Sequence, residues 1–130
     1  MIYQLDIDLI RANVIFLIEP TLAEFDRLYY DNVTRITDAE YKEIREEIEN
    51  PELSDGYTRL LNCGTAIVYL RHKYAEGSFT HEIIHAAYKL LKVRGFDLDD
   101  EEAWAYLGGY LTEKYYDFMR ENDSDLKSED

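Results

Sequence analysis

The chemical interest of this sequence is concentrated in His81, Glu82 and His85, within the run HEIIH at 81–85. On a helix, positions four apart lie one turn apart on the same face, so both imidazoles can address one atom. Zinc accepts neutral imidazole nitrogens, and two ligands fixed on one rigid turn lose little entropy on binding. Glu82 falls one residue after the first histidine, beside such a metal and not on it. There its carboxylate can take a proton from metal-held water. The competing reading is two exposed histidines on an ordinary helix. At average residue frequencies H-E-x-x-H arises by chance in about one in a few hundred chains of this length.

A catalytic zinc usually takes three protein ligands, so a third is required. Candidates are Glu101, Glu102, Asp99, Asp100 and His72. Glu102 is preferred because it shares a helix face with Ala105 and Gly109, small residues that allow close approach to the histidine-bearing helix. Glu101 lies about 100° away around the helix, and an acid in a first turn also suits the helix dipole. His72 reads as an exposed strand-end residue. A developing oxyanion needs a donor besides the metal, for which Tyr106 and Tyr88 are candidates, although packing is the readier explanation of each. Asp97–Asp100 are candidates to orient the imidazoles.

The elements that must position these residues are legible from periodicity. Tyr3, Leu5, Ile7 and Leu9 alternate with polar residues, which predicts a half-buried strand. Asn13–Glu19 is a denser apolar run, a second strand or a continuation of the first. Pro20 opens a helical stretch, Thr21–Tyr30, with Leu22, Phe25, Leu28 and Tyr29 on one stripe. Thr37 or Asp38 caps a helix to about Glu49. Tyr57–Leu61 and Gly64–His72 read as extended. Ser78 or Thr80 caps the motif-bearing helix, which carries Ile84, Ala87, Tyr88 and Leu91 as its buried stripe and stops at Gly95. A last helix runs to about Arg120, with Trp104, Leu107, Leu111, Tyr115 and Phe118 toward the core. The expectation is an α+β fold in one domain over 1–120. It has a small mixed or antiparallel sheet packed on helices, the last two helices pair antiparallel around zinc, and 121–130 form a disordered acidic tail.

The segments THEIIHAAYKLL and EEAWAYLGGYL together resemble the gluzincin arrangement, in which HExxH is followed by a glutamate on a later helix. The resemblance is nearest to small zincin-like proteins of phage and prophage origin, and GTAIVYLRH resembles the strand preceding their metal helix. It covers about residues 57–116 and is specific only in HEIIH. It implies a zincin-like core, Zn2+ as cofactor, His81, His85 and Glu102 as ligands, and Glu82 as base. It further implies a metallopeptidase acting on a peptide or protein, with an edge strand to align an extended chain. The alternative is a catalytically inactive zincin-like interaction or assembly module. A weaker similarity links the chain to the minimal zincins of phage-repressor and stress-response regulators, from which it departs in carrying no helix-turn-helix.

Composition narrows the partners. The 130 residues carry 14 basic and 28 acidic side chains, a net charge of −14. Such a surface repels phosphate backbones and anionic lipid, which argues against nucleic-acid and membrane-surface partners. The acid gathers in Asp38–Glu52, Asp97–Glu102 and the tail from Glu121, runs that suit solvated helix faces. The 12 tyrosines should bury rings while keeping hydroxyls near water or a partner. A single cysteine, Cys63, excludes an intramolecular disulfide and reads as a buried, inert thiol. The N-terminal stretch lacks the pattern of a signal peptide, and its longest apolar run is Val14–Ile18, so the expected location is the cytoplasm. Oligomeric state is not encoded in these patterns.

Overall fold

The computed structural model describes residues 1–123. Among them the chain forms β1 (Ile2–Ile7), β2 (Ala12–Ile18), α1 (Leu22–Asp31), α2 (Asp38–Glu49), β3 (Gly56–Leu60), β4 (Ala66–Leu70), α3 (Glu76–Val93) and α4 (Glu101–Asn122). The strands make one sheet in the order β1-β2-β4-β3. β1 pairs antiparallel with β2 and β3 antiparallel with β4, while the central β2 and β4 run parallel, Val14 opposite Ala66. The expected α+β class with a mixed sheet is what forms.

The two apolar runs VIFLI and AIVYL are dense because both faces of the central strands are covered. Val14, Phe16, Ile18, Ala66, Val68 and Leu70 face α3 and α4. Ile15, Leu17, Ile67 and Tyr69 face α1 and α2 through Phe25, Leu28 and Ile44. The molecule is therefore three layers, with α1 and α2 below the sheet and α3 and α4 above it. Leu9, expected at the end of the first strand, lies instead in a one-turn 3-10 helix (Asp8–Ile10) and is exposed. The chain must reverse there, and Arg11 takes a left-handed conformation to bring β2 back.

Helix starts follow local chemistry. Thr21 and Thr37 each accept a hydrogen bond from the backbone N–H three residues on, and Glu24 and Glu40 return the bond to the cap backbone. Glu40 is buried and also accepts from the Asn62 N–H at 2.9 Å, tying α2 to the β3–β4 turn. α3 departs from this pattern. It begins at Glu76, ahead of the expected caps Ser78 and Thr80, and Ala75 at its cap supplies no side-chain bond. Burial of Phe79 against Tyr115, with ring centroids 4.2 Å apart, accompanies the early start.

The last helix also runs past its expected end. Glu121 and Asn122 belong to α4, and Asp123 is only 2% exposed. Its carboxylate meets Lys73 Nζ at 3.0 Å and accepts from the Tyr74 hydroxyl at 2.7 Å, so the end of α4 is fastened to the segment leading into α3. The rest of the expected tail, 124–130, lies outside the described residues. Asp123→Ala should lower unfolding stability by about 1–3 kcal/mol, because it removes the buried carboxylate that accepts from Lys73 and Tyr74. Urea denaturation followed by circular dichroism checks this, and a loss under about 0.5 kcal/mol, the range of ordinary surface substitutions, would show the fastening to be dispensable.

Candidate metal centre

α3 docks on β3 and β4 through Phe79, Ile83, Ala86, Ala87 and Leu90. This face is turned by about one residue from the expected stripe, since Ile83 is buried and Ile84 is exposed. At 100° per residue His81 and His85 fall nearly opposite the docked face, and both are exposed. Their rings meet edge-on with centroids 4.6 Å apart, and their Nε2 atoms lie 3.1 Å from each other. Two nitrogens at zinc–imidazole bond length around a tetrahedral ion are about 3.3–3.4 Å apart. The pair therefore has the spacing of two ligands on one ion, and the same distance also suits an N–H···N hydrogen bond between neutral rings.

Glu82 projects to the flank of α3, toward the outer edge of the sheet. It is 5% exposed. The Thr58 hydroxyl lies 2.8 Å from its carboxylate and 3.0 Å from its backbone carbonyl, and so shares its one proton between them. Gly56, on the same face of β3 as Thr58, makes room for this side chain. A Cβ at Gly56 would meet the Tyr69 carbonyl oxygen at 2.8 Å and Glu82 Cγ at 3.5 Å. Thr58 and Gly56 escaped the sequence reading because they lie 24 and 26 residues before Glu82. The only signal for them was strand alternation, which puts 56 and 58 on one face once that face is known.

The other expected residues do not gather here. Tyr88 packs against Trp104, and Phe79 against Tyr115 and Tyr116, which sets the register of the antiparallel pair. On that register, the stretch of α4 level with HEIIH is roughly 107–114, by linear interpolation along both helices. Glu102 sits near the level of Leu90 instead, about 7 Å along the axis beyond His85. It lines a groove with Leu91, Phe96 and Tyr106. The Glu102, Ala105 and Gly109 stripe is solvent-facing and does not form the helix contact. The expected core stripe on the opposite side does, through Leu107, Leu111 and Tyr115.

Tyr106 is 59% exposed, stacks with Tyr110 and faces the β1–β2 turn. Asp100 caps α4 by accepting from the Ala103 N–H, and Asp97 accepts from the Asp99 N–H, so both serve the connector. Glu101 is exposed in the first turn of α4, and His72 is exposed between β4 and α3. Cys63, expected to be buried, is exposed in the β3–β4 turn. Among the described residues, no three His, Cys, Asp or Glu side chains converge as a metal-binding group. Glu113 is the one acid in the stretch of α4 level with the histidines, and it is exposed. It lies eleven residues after Glu102, about three turns along nearly the same helix stripe.

No protein-family model matches the chain, and neither a curated protein nor a solved structure matches it. No helix among the described residues is long and apolar enough to cross a membrane. The functional reading therefore rests on the chain's own residues.

Thr58→Val should cost about 1–3 kcal/mol, since it leaves the buried Glu82 carboxylate without its hydroxyl donor. Thr58→Ser should recover most of that loss. Equal stability of the valine and wild-type proteins in thermal melts would mean that the contact does not hold Glu82.

Proposed function

We propose that this protein is a zinc-dependent metallopeptidase with a zincin-like core, acting on a peptide or protein. The observation that carries this reading is the approach of His81 and His85 Nε2 to 3.1 Å, the separation expected of two ligands sharing one tetrahedral ion. Zinc held there supplies Lewis acidity to a peptide carbonyl and to water. His81 and His85 would hold the ion from the exposed face of α3. A carboxylate from α4 would complete the set; Glu113 is nearer the level of the motif than Glu102, and both lie on the solvent-facing stripe. Glu82 would be the base, taking the proton of metal-held water, while the Thr58 hydroxyl holds its carboxylate beside β3. β3 is the edge strand next to that carboxylate, and its free backbone groups suit an extended peptide. Tyr106 faces another part of the surface and is not assigned a part in this chemistry.

One observation favours the alternative, a catalytically inactive zincin-like interaction or assembly module. Glu82 is buried and already engaged by Thr58, as a purely structural carboxylate would be.

Elemental analysis of protein purified without chelators, then resupplied with zinc, should find zinc equimolar with the chain. His81→Ala and His85→Ala should each weaken zinc binding by at least about 100-fold. Glu113→Ala should weaken it as well, and Glu102→Ala should not. Glu82→Gln should retain zinc while lowering turnover of a mixed peptide library, read by mass spectrometry, by about 100-fold or more. Zinc that stays substoichiometric after resupply, or is indifferent to His81, rules out the metal site. Stoichiometric zinc without turnover in the wild-type protein selects the inactive module.

A further inference from the structure

The groove beneath the β1–β2 turn has features that the metal centre does not explain. Leu9 and Ile10 of the turn form one wall, the end of α3 and Phe96 the floor, and Tyr106 and Leu107 of α4 the other wall, enclosing about 530 Å³. Leu9 is 76% exposed, and Phe96, Tyr106 and the nearby Val93 are also exposed. Apolar side chains concentrated in one concave patch, and not scattered singly, mark an interaction surface.

The groove is also preformed. The Arg94 guanidinium donates to the carbonyl oxygens of Ile10 at 3.0 Å and Arg11 at 3.1 Å, locking the turn that presents Leu9 to the end of α3. A wall held in this way loses little entropy when a partner binds. Its rim is acidic. Asp100 and Glu102 line the groove itself, Asp97 and Asp99 lie in the adjoining connector, Glu101 opens α4, and Asp8 precedes Leu9.

We propose that this groove docks a basic, amphipathic segment of a partner protein, its apolar side chains on Leu9, Phe96 and Tyr106 and its lysines or arginines on the acidic rim. The charge selects this occupant. A second copy of the chain would bring the same acidic rim, within a net charge of −14, against the first.

The probe is a synthetic helix-forming Leu/Lys peptide titrated into the 15N-labelled full chain, with a Leu/Glu peptide and an equally charged Gln/Lys peptide beside it. The Leu/Lys peptide should bind saturably, shift the amides of Leu9, Phe96 and Tyr106, and weaken as salt rises. The Leu9→Ser/Phe96→Ser variant should bind about tenfold more weakly or worse. Because that variant can fail to fold, Asp100→Asn/Glu102→Gln serves as a second test. It retains an N-cap and should weaken binding several-fold. Shifts scattered over the acidic surface, Gln/Lys or Leu/Glu binding as tight as Leu/Lys, or indifference to both variants would each overturn the assignment. So would occupation of the groove by a second copy, seen as dimers in sedimentation. Neither variant alters His81, Glu82 or His85, so failure here leaves the zinc reading standing, and the converse holds.

Discussion

Everything above the sheet depends on which side of α3 is pressed against it. A helix lying flat on a sheet buries roughly one third of its circumference, and here Ile83, Ala86, Ala87 and Leu90 take that third. The consequence is geometric. His81 and His85 must point away from the sheet, and Glu82 must emerge sideways over β3, where Thr58 receives it. If the docked face turned by one residue, the histidines would move toward α4 and Glu82 would lose its partner. The arrangement of the three motif residues is thus a result of core packing, although none of them is an apolar core residue.

That packing is held at both ends of α3 by polar fastenings. At its start, Asp123 engages Lys73 and Tyr74, and the Tyr115 hydroxyl donates to the Lys73 carbonyl oxygen at 3.2 Å. At its end, the Arg94 side chain gathers the carbonyl oxygens of Ile10, Arg11, Leu90 and Gly64. Burial pushes the Arg94 guanidinium below its ordinary pKa, an expense that the hydrogen bonds offset while the group stays charged. These two fastenings join α3 to α4, to the β1–β2 turn and to the β3–β4 turn, so the helix has little freedom to roll. A rigid helix suits a site whose ligands must keep their spacing before a metal arrives.

The two surfaces of interest lie at different levels of the α3–α4 pair and differ in physical character. The histidine face, near the middle of α3, is open and polar, with Glu82 held at its flank. The groove at the end of α3 is apolar with an acidic rim. A separate groove for a partner segment would provide affinity without crowding the chemistry, and an inactive module could use the same groove alone.

Local order in the sequence was enough to determine the elements themselves. Alternation at Tyr3, Leu5 and Ile7, the Pro20 helix start, the cap at Thr37, the two dense strands and the apolar stripe along α4 all act through neighbours a few residues apart. The His81–His85 pairing belongs to the same group, because one helical turn suffices to bring the rings together. Only tertiary packing decided the rest. Periodicity grouped Glu102, Ala105 and Gly109 on one stripe of α4 but could reveal neither that this stripe faces solvent nor the level at which Glu102 falls along the pair. The level depends on the register of the helical pair, set by Tyr88 on Trp104 and Phe79 on Tyr115. The buried face of α3, the Thr58 partner of Glu82 and the exposure of Cys63 were likewise hidden. Each depends on contacts between segments distant in the chain, and such contacts leave no local pattern to read.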